Sequence, residues 1–106
     1  MGYTRDLDRV GAEEGDPVAL LPPLHFIFLG YSKLFAAKIA ERGFELMGKT
    51  DVRFVEGLWK VMRDVFRYRP SITASQFLLK GYAERKAILV YDLAELCRKW
   101  HERLAR

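Results

Sequence analysis

Apolar positions recur at helical spacing through most of the chain. At about 100° per residue, Val55, Leu58, Trp59, Met62, Val65 and Phe66 fall in one sector of the segment Asp51 to Arg69. Arg53, Glu56, Lys60, Arg63, Asp64 and Arg67 fall opposite. This pattern predicts an amphipathic helix, capped by Thr50 or Asp51 and closed by Pro70, which disfavours helical geometry at Arg69. A second helix is predicted over Ser32 to Arg42, with Leu34, Phe35 and Ile39 inward and Gly43 as its stop. The longest runs from Tyr82 to Leu104, with Leu89, Leu93, Leu96, Cys97, Trp100 and Leu104 on one stripe. Lys86 also lies on that stripe, as either a snorkelling stem or a paired charge, and the snorkelling stem is the expected reading. Ile88 and Tyr91 lie off it and form a second apolar patch, which needs a neighbour of its own.

Shorter elements connect these. Asp16 followed by Pro17 starts a helix, and the prolines at 22 and 23 are expected to end it; Leu24, Phe26, Phe28 and Leu29 beyond them receive no assigned type. The stretch from Val18 to Leu29 is the strongest apolar one, although Pro22 and Pro23 break it and His25 interrupts it; it is too short to span a bilayer and reads as core. Phe44, Leu46 and Met47 fill the gap between helices. Thr73 and Gln76 form a capping box for a short helix reaching Leu79, which Gly81 ends. No segment alternates as a strand would, so the fold class is all-α, with an acidic arm or loop over residues 1–16 and a helical domain over 17–106.

Length and composition fit that reading. The 106 residues weigh 12.3 kDa, enough for one domain, and half of them are hydrophobic. The formal net charge is +4. Within residues 1–16, Arg5 and Arg9 face Asp6, Asp8, Glu13, Glu14 and Asp16, a net of −3, so the remaining chain carries +7. A helical body this basic suggests an acidic partner. Cys97 is alone, which excludes an internal disulfide and suits a reducing, cytoplasmic setting.

The inventory for chemistry is thin. His25 and His101 have no further His or Cys at ligand spacing, so no metal site is expected. Cys97 sits on the buried stripe as a core thiol and not as a nucleophile. The glycines form neither a dinucleotide-binding turn nor a phosphate loop, so no cofactor and no small-molecule substrate are expected. The chain is therefore read as a non-enzyme. What remains is a surface: Arg53, Lys60, Arg63 and Arg67 make a stripe ended by Arg69, joined by Lys33, Lys38, Arg98, Lys99 and Arg103 from neighbouring helices. Glu56 and Asp64 interrupt it. A mixed face of this kind is ordinarily a solvated exterior, and the basic excess supports binding as the sharper reading. Nucleic acid is a weak candidate, because the aromatics Phe35, Phe54, Trp59 and Phe66 read as core instead of as an exposed stacking platform. No membrane is expected as a partner.

Several runs carry a family resemblance: Gly15-Asp16-Pro17, Leu21-Pro22, Asp51-Val52-Arg53-Phe54-Val55, Arg63-Asp64-Val65-Phe66-Arg67-Tyr68-Arg69-Pro70, Gln76-Phe77 and Gly81-Tyr82-Ala83-Glu84-Arg85-Lys86. Their order and spacing, from about Gly2 to Leu104, resemble the N-terminal domain of the family of the centrosomal protein of forty-four kilodaltons. The Arg-Asp-x-Phe-x-Tyr-x-Pro run is the most specific part. The resemblance implies a divergent calponin-homology fold and microtubule binding at centrioles, with tubulin as partner and a cytoskeletal location at centrosome, centriole or basal body, extending to the ciliary axoneme. Other centriolar or axonemal proteins and a second copy of the chain are further expected partners. In that family a long amphipathic helix precedes the position of Tyr3, so the opening helix is expected to be missing here. In a calponin-homology fold the first helix packs beside the last. Its loss would leave Ile88 and Tyr91 uncovered, at roughly 1.5 to 3 kcal/mol of forgone burial each.

Overall fold

The computed structural model describes residue 11 and residues 13–106. Most of the acidic leader, at residues 1–10 and 12, lies outside them, and with it most of the arm expected there. In chain order the described elements are α1 (Pro17–His25), continued by a wide turn (Phe26–Gly30); α2 (Lys33–Glu41); α3 (Asp51–Val61), continued by a second wide turn (Met62–Phe66); α4 (Ala74–Phe77); and α5 (Ala83–Leu104). There is no strand among the described residues. The fold is all-α.

The first helix corrects an expectation. Asp16 caps it by accepting the Val18 N–H at 3.1 Å, but Pro22 and Pro23 lie inside it instead of ending it. A proline in a helix interior costs about 3 kcal/mol. Leu20, Leu21, Leu24, Ile27 and Phe28 are all buried along this stretch, at roughly 1.5 to 3 kcal/mol each. Burial on that scale outweighs two prolines, and the helix persists. It ends in a π turn, where the Tyr31 N–H reaches back five residues to the Phe26 carbonyl at 2.7 Å.

Ser32 caps α2 through the Phe35 N–H. Phe35 and Ile39 are buried as expected, but Leu34 is largely exposed, as is Met47 in the following loop. Phe35 sits at the centre of an aromatic cluster, its ring stacked on Phe66 at 5.7 Å and tilted against Phe28 and Trp100. Thr50 caps α3, which buries Phe54, Val55, Leu58 and Val61. That helix stops earlier than the sequence suggested, because Arg67 adopts a left-handed conformation (φ 55°) and the Tyr68 N–H closes back on the Met62 carbonyl at 2.9 Å. Arg67 to Arg69 are therefore not helical. The expected capping box forms at α4, with Thr73 and Gln76 bonding reciprocally, although the helix ends at Phe77 and not at Leu79.

α5 packs along α2 and the first wide turn, and buries Leu89, Leu93 and Cys97. Lys86 corrects the snorkelling expectation. Its side chain is fully buried, and Nζ donates to the Gly15 carbonyl at 2.6 Å and to the Leu79 carbonyl, 5.3 Å above the Phe77 ring. Burial lowers its pKa from the ordinary 10.5, with Asp16 pulling the other way. The same corner brings Gly15 (φ 70°) so close to Gly81 that a Cβ there would collide with the Gly81 carbonyl. Glu14 also accepts the Gly81 N–H at 3.1 Å. Ile88 and Tyr91, on the outer side of α5, are 61% and 68% exposed.

Candidate functional site: a basic groove at the end of α3

Helical spacing puts Lys60, Arg63 and Arg67 on one side of α3 and its wide turn, and the reversal at Arg67 then swings Arg69 and Pro70 across from them. The result is an open groove of about 790 Å³ lined by Trp59, Lys60, Arg63, Arg67, Tyr68, Arg69, Pro70, Ile72, Thr73 and Ala74. Its cationic residues are solvent-exposed, whereas Trp59 and Tyr68 are half-buried and Ile72 is buried. The far wall is held by two constraints. Tyr68 donates its hydroxyl hydrogen to Asp92 Oδ2 on α5 at 2.7 Å, and the α4 capping box fixes Thr73. Burial, followed by the neighbouring Asp92 carboxylate, pushes the Tyr68 hydroxyl up to about 12. Trp59 rests on Phe77 with ring centres 5.8 Å apart.

The charges are not equivalent. Arg63 is engaged with Asp64 in a two-point pair, 2.7 Å and 3.0 Å, which raises the guanidinium's pKa and lowers the carboxyl's. Lys60, Arg67 and Arg69 make no salt bridge with any described residue. Arg53 lies outside the groove but shares a smaller recess of about 220 Å³ with Lys60, Glu56 and the Lys49–Glu45 pair. Lys33 and Lys38 on α2, and Arg98 and Lys99 on α5, do not line it. Arg98 is held by Glu95 at 2.9 Å and by Glu102 at 2.6 Å on its own helix. The structure thus gathers Lys60, Arg63, Arg67 and Arg69 around one groove, sets Arg53 beside it and leaves the other five elsewhere, Arg103 among them, over the Trp100 ring. Trp59, Tyr68, Pro70 and Ile72 were not anticipated as part of a site; Trp59 lay at the edge of the apolar sector, the one signal that could have marked it.

The two histidines and the cysteine are engaged in packing. His25 stacks on Phe54 at 3.7 Å, and burial lowers its pKa from 6.5 against the pull of Asp51. His101 Nδ1 shares a 2.5 Å hydrogen bond with the hydroxyl of Ser32, the cap of α2. Cys97 is buried, and burial pushes its thiol up. Among the described residues no three His, Cys, Asp or Glu side chains gather as metal ligands. No single described helix is long and apolar enough to cross a membrane.

Comparison with known proteins adds a name to this architecture. The family profile described as "Centrosomal spindle body, CEP44" matches residues 1–106. The Centrosomal protein of 44 kDa of Xenopus tropicalis is 39% identical over 104 residues, which cover 98% of this chain and 27% of that protein. Its Homo sapiens counterpart is 37% identical over 105 residues, covering 99% of the chain, and that of Bos taurus 34% over 105 residues. The chain thus spans about a quarter of the length of these relatives. With a profile match along its whole length and relatives 34–39% identical over nearly all of it, the chain belongs to the centrosomal protein of 44 kDa family.

Proposed function

We propose that the chain is a non-catalytic attachment module of a centrosomal protein, which holds acidic tubulin on microtubules at the centrosome, centriole or basal body through the basic face of α3. The observation that carries this reading is the gathering of Lys60, Arg67 and Arg69, none of them paired with a described carboxylate, around one groove. Like charges held this close repel one another, and an acidic surface relieves that repulsion. The relatives' printed name supports a centrosomal setting. The fold is proposed to be calponin-homology-like, the architecture implied by the Arg63–Pro70 run. Arg53 would extend the contact, with Lys33, Lys38, Arg98 and Lys99 as outlying charges.

Co-pelleting with microtubules tests the proposal. Raising the ionic strength from about 0.01 M to about 0.15 M shortens the screening length from about 30 Å to about 8 Å and should release the domain. The triple variant Lys60→Glu, Arg63→Glu, Arg67→Glu should fail to pellet even at low salt; unchanged pelleting would refute this surface. The exposure of Ile88 and Tyr91 favours a second reading, in which α5 docks an apolar partner helix, whether of another centriolar protein or of a second copy of the chain. That version predicts binding that is indifferent to salt and abolished by Ile88→Asp.

A further inference from the structure

We infer that the groove between the end of α3 and residues 67–74 takes an extended acidic peptide bearing an aromatic side chain, so that its partner is a flexible tail and not a folded surface. This rests on, and sharpens, the proposal that the basic face holds an acidic partner. Three observations point to it. First, four cationic side chains, Lys60, Arg63, Arg67 and Arg69, line one groove of about 790 Å³, more positive charge than a single small anion needs, which suits a run of carboxylates. Second, the groove is not purely polar. Trp59, Pro70 and Ile72 contribute an apolar floor, and Trp59 is only half-buried, leaving ring surface for a peptide side chain to cover.

Third, the groove is preformed. Its far wall is tied to α5 by the Tyr68–Asp92 hydrogen bond and to α4 by the Thr73–Gln76 box, so ordering the receptor adds little to the cost of binding. Arg63 is already engaged with Asp64, whereas Lys60, Arg67 and Arg69 make no salt bridge with a described residue and supply the positive charge open to a partner. A nucleic-acid strand fits less well. Of the aromatics lining the groove, Trp59 and Tyr68 are both partly buried and Tyr68 is held by Asp92, which leaves room to cover one side chain but no row of exposed rings on which successive bases could stack.

The test uses the 106-residue chain and a fluorescein-labelled decapeptide of glutamates with one central phenylalanine, read by anisotropy at low salt. The double variant Arg67→Glu, Arg69→Glu should bind about tenfold or more weakly. Thr73→Asp gives a second, gentler perturbation. Aspartate keeps the helix cap and places a carboxylate in the groove, so the domain should fold normally and the affinity should still fall several-fold. Replacing the peptide's phenylalanine with glycine should weaken binding by about fivefold or more. Equal binding by all three proteins overturns the groove. Equal binding by the two peptides overturns the aromatic anchor, and tighter binding of polyuridylate than of the peptide overturns the assignment to a protein tail. Pelleting separates this inference from the broader one: microtubules bound without peptide capture remove the groove inference alone, and peptide capture without microtubule binding removes the tubulin reading alone.

Discussion

Replacing Lys86 with methionine should unlock the corner where the start of the described chain meets α5. The wild-type ammonium is fully buried and donates to the carbonyls of Gly15 and Leu79, joining residues 71 positions apart in the first case. Methionine fills a similar volume but donates nothing. Each buried carbonyl stripped of its partner costs about 1–3 kcal/mol, and release of the ammonium from a dry site returns part of that sum. The expected net loss is about 2–4 kcal/mol, which lowers Tm by roughly 10–20 °C for a domain of this size. The pH dependence supplies a second signature. Burial sets the folded pKa of Lys86 below 10.5, so between the two values the unfolded chain holds more protons and wild-type stability rises with pH. The neutral amine still has two N–H donors for the two carbonyls. Lys86→Met lacks that gain, so the gap between the two proteins should widen as the pH rises through the lowered folded value toward the ordinary 10.5. Melting followed by circular dichroism at several pH values gives both readings. A variant that melts within a degree or two of wild type, with a gap constant in pH, would refute the buried clasp.

Other expectations are equally direct. Gly15→Ala should destabilise far more than Gly43→Ala: both glycines have positive φ, but an added methyl collides with the Gly81 carbonyl in the first case and meets open space in the second. The open site should cost about 1 kcal/mol and the crowded one should prevent a cooperative melt, as denaturant titration would show. Tyr68→Phe removes the hydrogen bond to Asp92 and should cost about 1.5 kcal/mol. Because the folded tyrosine is raised to about 12 from 10, its stabilisation is present below pH 10 and lost as pH climbs to about 12, so the variant should lack that alkaline loss. Cys97, buried and with its thiol pushed up, should react with a thiol reagent only after denaturant is added; rapid labelling of the native domain would contradict its place in the core.

Where periodicity was strong and local, the fold was readable from the sequence. The apolar sector of α3, the stripe of α5 and the Thr73–Gln76 box all appear where their residue spacing put them. Errors arose where tertiary contacts overruled a local rule. Pro22 and Pro23 break helices in isolation, but five buried side chains around them hold this one together. Lys86 on an apolar stripe reads as a snorkelling stem because the carbonyls that receive it come from Gly15 and Leu79, which only the folded chain brings near. Leu34, next to the buried Phe35, turned outward because α2 presents a narrower face to its neighbours than the pattern implied.

The basic stripe shows the same limit at the level of the site. Composition counts Arg63, Arg67, Arg69 and Arg98 alike, since each is a fixed positive charge. Pairing separates them: Arg63 and Arg98 each bond a carboxylate close by in the chain, whereas Arg67 and Arg69, at and after a chain reversal, make no salt bridge with any described residue, and Arg67 acts on Asp64 only through its field. That reversal depends on Arg67 holding a left-handed conformation, an uncommon geometry for a residue with a side chain. The strain is tolerated because Tyr68, the next residue, is anchored twice, by its N–H to Met62 and by its hydroxyl to Asp92. Arg67→Gly should therefore relax the backbone and stabilise the domain slightly while removing one groove cation. Arg67→Val, with a branched side chain that resists positive φ, should destabilise it by about 1–2 kcal/mol. Both variants lose the same charge, so equal weakening of acidic-partner binding alongside opposite shifts in Tm would assign the arginine's contribution to its charge; a loss of binding that tracks stability would assign it to the shape of the turn.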